Sequence, residues 1–78
     1  MDRITKGEAI TLDNDIEYVV VDAVELDNKR YLYLVSEDKN EVLVAEEIIE
    51  DNDIFVETLT DMEKVREISK IVVERLDN

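Results

Sequence analysis

Residues Glu17–Ser36 read EYVVVDAVEL-DN-KRYLYLVS, and the reading of this stretch decides the fold. It gathers β-branched and aromatic residues, the types that suit a pleated, half-buried surface. Asp27-Asn28 stands at its centre. Asp and Asn tolerate left-handed backbone angles and bond their own local backbone, so such a pair can turn a hairpin without glycine. A two-residue loop there sets Leu26 against Lys29, Glu25 against Arg30, Val24 against Tyr31, Ala23 against Leu32 and Asp22 against Tyr33. Carried on unbroken, the register sets Val21 against Leu34 and Val20 against Val35. It yields one opposite-charge pair and several aromatic or aliphatic pairs, each contributing roughly 0.2–1 kcal/mol.

Similar polar punctuation recurs outward from this hairpin, at Asp13-Asn14, Glu37–Asn40 and Asp51-Asn52. Four turns predict five strands, at about 8–12, 16–26, 29–36, 41–49 and 53–58. A three-residue loop at Asp13–Asp15 opposes Leu12 to Ile16 and Ile10 to Tyr18. One face then collects Ile10, Leu12, Ile16, Tyr18, Val20, Val24, Leu26, Tyr31, Tyr33 and Val35. The other carries Val19, Val21, Ala23, Leu32 and Leu34, so both faces need covering. Glu46-Glu47 interrupts the fourth strand and marks a bulge, a bend or a short helical turn. Residues 1–7, with the lone glycine, have no period and read as a loosely held lead-in.

Thr60-Asp61-Met62-Glu63 matches a capping box, in which the Thr hydroxyl and Glu carboxylate satisfy orphan amides reciprocally. Met62, Val65, Ile68, Ile71, Val72 and Leu76 follow at helical spacing, predicting a helix over about 61–76 that packs on one sheet face. The expected architecture is α+β: an antiparallel meander of about five strands with a C-terminal helix, one domain over residues 1–78. One helix covers one face. The other is left for a partner, a second copy or the lead-in.

Composition bounds the function. With no His and no Cys, imidazole acid–base catalysis, Cys-His pairs and the usual structural zinc sites are excluded. A lone Gly7 excludes Gly-rich phosphate loops. Asp13-Asn14-Asp15-Ile16-Glu17 begins like a calcium loop, but Tyr18 and Val24 stand where its Gly and final Glu belong. No cofactor or metal is expected, and no enzymatic activity. No apolar run is long enough to span a membrane, and no signal-peptide core is visible. The expectation is a cytoplasmic protein.

Net charge is −13, from 22 acidic and 9 basic residues. Residues 8–59 carry 16 acids against Lys29, Arg30 and Lys39, whereas residues 60–76 balance four against four. This charge repels nucleic-acid phosphates and anionic lipid, arguing against direct nucleic-acid or membrane binding. The densest stretch holds Glu46, Glu47, Glu50, Asp51 and Asp53. One reading is a solvated edge that keeps sheets from pairing; the other is a docking surface for a protein with a basic face. Asp22, mid-strand on a mainly apolar face opposite Tyr33, is the odd residue. It marks a bulge, accepts the Tyr33 hydroxyl, or offers a polar contact for a ligand or partner.

The run EYVVVDAVELDNKRYLYLVSED, followed by NEVLV, an acidic turn and a capped helix, resembles the YrzB-like family of small acidic proteins of Gram-positive bacteria, a domain of unknown function. The likeness covers about Ile10–Leu76, with Asp22 departing from the pattern. It implies a bacterial cytoplasmic origin and supplies no activity or site. The function expected is a non-enzymatic interaction or regulatory module whose acidic strands meet a basic protein surface, in one version by imitating nucleic-acid charge. The alternative is a structural homodimer whose charge serves solubility.

Overall fold

The structure, a computed structural model, describes residues 3–76. Met1 and Asp2 of the expected lead-in, and Asp77, lie outside them. Five strands, β1 (Ala9–Thr11), β2 (Glu17–Leu26), β3 (Lys29–Ser36), β4 (Glu41–Glu50) and β5 (Asp53–Thr58), precede one helix, α1 (Met62–Leu76). All pair antiparallel with their sequence neighbours in the order β1-β2-β3-β4-β5. The expected α+β meander is the observed fold.

The turns obey the chemistry expected of Asp and Asn. Asp27 and Asn28 adopt φ of 54° and 65°, and Asp51 and Asn52 adopt 49° and 70°. Two consecutive left-handed residues give a turn whose twist matches that of the flanking strands. Asn14 accepts the Ile16 amide on its side-chain oxygen at 3.0 Å, closing the β1–β2 loop. Ile10 faces Tyr18, as expected.

The β2–β3 register agrees with expectation from Leu26–Lys29 up to Asp22–Tyr33, then slips. Val20 faces Leu34 and Val19 faces Val35, because Val21 bulges out of the ladder. One extra residue inverts the alternation. The apolar face expected to be continuous is therefore split between two cores. Tyr18 and Val20 join Leu32, Leu34 and Ala45 on one side of the sheet, with Ile10, Leu12 and Ile16 packed around them. Val24 and Tyr31 join Val44 on the other, beneath Ile68 and Val72 of α1.

Helix α1 lies across β2, β3 and β4 and leaves β5 beside it. Its cap differs from the expected box. The Asp61 carboxylate accepts the Glu63 amide at 3.0 Å, and the Val65 amide donates to the Asp61 carbonyl at 3.0 Å. Asp61, not Thr60, is the capping residue, and it adds a negative charge at the positive end of the helix dipole. Lys64 ties the helix start to the hairpin: its Nζ lies 3.8 Å from Asp27 and over the Tyr31 ring. The Glu67 carboxylate, 2.9 Å away, raises the Lys64 pKa above its ordinary value.

The face without the helix is not bare. The sheet curls until β1 and β5 line opposite walls of one cleft. Residues 3–7 cross one end of it, with Ile4 packed against the core. This segment is held, contrary to the expectation of a loose lead-in. The Gly7 amide donates to the Val20 carbonyl at 2.8 Å, and Arg30 Nη2 donates to the Ile4 carbonyl at 2.8 Å.

Candidate functional site

Strand β4 runs unbroken through Glu46-Glu47, where an interruption was expected. Alternation sends the two carboxylates to opposite faces. Glu47 points inward and is only 4 % exposed. Its carboxylate takes the Ile4 amide at 2.9 Å, pairs with Arg3 Nε, and stands 3.5 Å from Arg30 Nε. Glu47 thus leaves the expected docking stretch. It is an internal anchor, compensated by two guanidinium groups as a buried charge must be.

The remaining acids of that stretch fall into a pattern. Glu46 pairs across the ladder with Glu57, and Glu50 pairs with Asp53. Residues in register share a face, and positions four apart on one strand share it again, about 13 Å along. Four carboxylates therefore form two like-charged rungs on the helix side of the sheet, beside α1. Between them lies the Ile48–Phe55 pair, with Phe55 49 % exposed. Glu50, Asp51 and Asp53 are all exposed, and Asp51 sits in the turn that closes this end. Lys29 Nζ approaches Glu46 to 4.0 Å. Directly opposed like charges destabilise a ladder. The chain tolerates two such rungs around an exposed aromatic ring.

Asp22 and Tyr33 do face each other in the ladder, but the carboxylate turns to the helix. Arg75 Nη1 donates to Asp22 Oδ2 at 3.2 Å and to the Ala23 carbonyl at 3.1 Å, while Asp22 Oδ1 accepts the Ala23 amide at 2.9 Å. Asp22 follows the bulged Val21, pairs with Tyr33 in the ladder and fastens the end of α1. The expected bulge is there, one residue earlier than Asp22 itself; the expected Tyr33 hydroxyl bond is not.

Sequence reasoning missed Glu57, Ile48 and Phe55. The signal was present in the spacing: once Asp51-Asn52 is read as a two-residue turn, Glu50–Asp53, Ile48–Phe55 and Glu46–Glu57 fall opposite each other. It also missed the cleft between β1 and β5, of about 670 Å³, whose walls include Ile10, Leu12, Ile54 and Val56. Among the described residues, no three carboxylates converge as they would to hold a metal ion, and no helix is long and apolar enough to cross a membrane.

Comparison with family models, with curated proteins and with solved structures returned no match.

Proposed function

We propose that this protein is a non-enzymatic interaction module that docks on a basic protein surface through the outer face of β4 and β5. The observation that carries this reading is the paired rungs, Glu46–Glu57 and Glu50–Asp53, flanking Phe55. An exposed aromatic ring ringed by charge suits the centre of an interface, where aromatic side chains act as anchors. A Lys- or Arg-bearing partner would relieve the repulsion across both rungs and stack a cation on the ring. Glu46 and Glu50 on one strand and Glu57 and Asp53 on the other make a ridge, where imitation of nucleic-acid charge needs carboxylates in line and not scattered evenly over the surface. The likeness to YrzB-like proteins adds a bacterial cytoplasmic setting to this reading. The homodimer alternative needs an uncovered sheet face; the curl of the sheet and Ile4 cover part of that face within the chain and leave the cleft between β1 and β5.

The test is retention of basic proteins from source lysate on the immobilised protein, eluted along a salt gradient, against a Glu50→Lys/Asp53→Lys variant. Release of a defined basic protein from the native chain at moderate salt, with no retention by the variant, is the expected outcome. Equal retention by both would remove β4–β5 as the docking face.

A further inference from the structure

The sheet does not close on itself. In a five-stranded antiparallel meander the first and last strands run in the same direction, so β1 and β5 cannot pair antiparallel with each other. They do not approach: no Cα of β1 lies within 8 Å of one in β5. Yet both line the same cleft of about 670 Å³. One strand inserted between two others holds them about 9.5 Å apart, twice the ordinary spacing. A sixth strand in that gap would run antiparallel to both neighbours and close the sheet into a barrel without an edge.

We infer that the cleft between β1 and β5 accepts an extended segment of another protein, alternating apolar with Lys or Arg residues, as that sixth strand. Three observations set its chemistry. The walls offer Ile10 of β1 and Leu12 just beyond it against Ile54 and Val56 from β5, so alternate side chains entering the barrel must be apolar. The outward positions meet Asp13 and Glu57 at the rim, in a strand region of net charge −13, so the others must be basic. The chain displays this chemistry at one end of the same face, where Arg3-Ile4 docks its base on Glu47 and its isoleucine into the core. A second copy of this chain is disfavoured, since neither edge strand carries a base: β1 is Ala9-Ile10-Thr11, and β5 holds Asp53 and Glu57. Main-chain bonds on both sides would supply affinity, and alternate pockets specificity.

The inference rests on the docking reading for the sign of the partner's charge; its cleft and the acidic rungs lie on opposite faces of β5 and meet at Glu57. The test titrates the isotope-labelled full chain with a synthetic peptide of about ten residues alternating Val with Lys or Arg. A control peptide has the same composition in two blocks. The expected result is slowed amide exchange and shifted resonances in β1 and β5 with the alternating peptide alone. Thr11→Lys/Asp13→Lys, at two exposed cleft residues, should weaken it about tenfold, and Asp53→Lys on the acidic rungs should leave it within about twofold. Equal binding of both peptides, with shifts centred on Glu46, Glu50 and Asp53, would overturn strand insertion and leave acidic docking standing. No binding of either peptide at about 1 mM would overturn it too. So would a peptide-free dimer with protected β1 and β5 amides, which would give the cleft to a second copy.

Discussion

The Glu47 carboxylate accepts the backbone amide of Ile4 at 2.9 Å, across a separation of 43 positions, and so fastens the start of the described chain to its fourth strand. Arg3 and Arg30 compensate the charge from either side. Glu47→Gln keeps the shape and removes the charge. Hydrogen bonds to ionised groups contribute more than neutral ones, so the expected loss is about 1–3 kcal/mol, read from the denaturant midpoint. Exchange at the Ile4 amide should quicken with it. An unchanged midpoint would mean that packing of Ile4, not charge, holds the segment.

The helix cap discriminates between two neighbouring residues. Asp61→Ala should destabilise by about 0.5–2 kcal/mol, the range for losing a capping side chain. Thr60→Ala should change little, within about 0.5 kcal/mol, as for surface substitutions elsewhere. A reversed order in thermal unfolding would restore the Thr60 box.

Asn28 at φ 65° sets a third expectation. Asn28→Gly should be nearly neutral, because glycine enters the left-handed region freely. Asn28→Val should cost about 1–2 kcal/mol, since a β-branched side chain clashes there. Chemical denaturation of both variants decides the matter, and equal stabilities would show that the hairpin can adopt another turn.

The bulge is tested by a deletion. Val19, Val20 and Val21 are consecutive, so removing any one yields the same chain. Taking out the bulged residue leaves every observed pair in a regular ladder, with Tyr18 inside. The shortened chain should stay folded, losing about 1–2 kcal/mol for the missing, partly buried valine. Nuclear Overhauser contacts that take Tyr18 away from Leu34 would show that the bulge does not set the face.

Much of the fold was legible because it rests on local chemistry. The Asp-Asn turns need only left-handed backbone, and the α1 stripe repeats at helical spacing through Ile68 and Val72. The bulge was legible only as one reading of Asp22; its exact place was not, since three valines in a row share one propensity and no pattern says which of them drops out. Glu47 was not, because in the acidic stretch its residue type is that of its exposed neighbours. Only the β3–β4 register, which sets it opposite Arg30, tells it apart. The acidic rungs lay between: residues and turn were visible, but their common face required the strand to run unbroken through Glu46-Glu47.

The latch of Ile4 on Glu47 also orders events in time. Each strand of the meander meets its partner in the next segment of chain, and with no proline there is no X–Pro bond to wait for. Pairing can therefore follow synthesis closely. The amide of Ile4 is made 43 residues before its acceptor, so at 5–20 residues per second it waits about 2–9 s for Glu47 to appear.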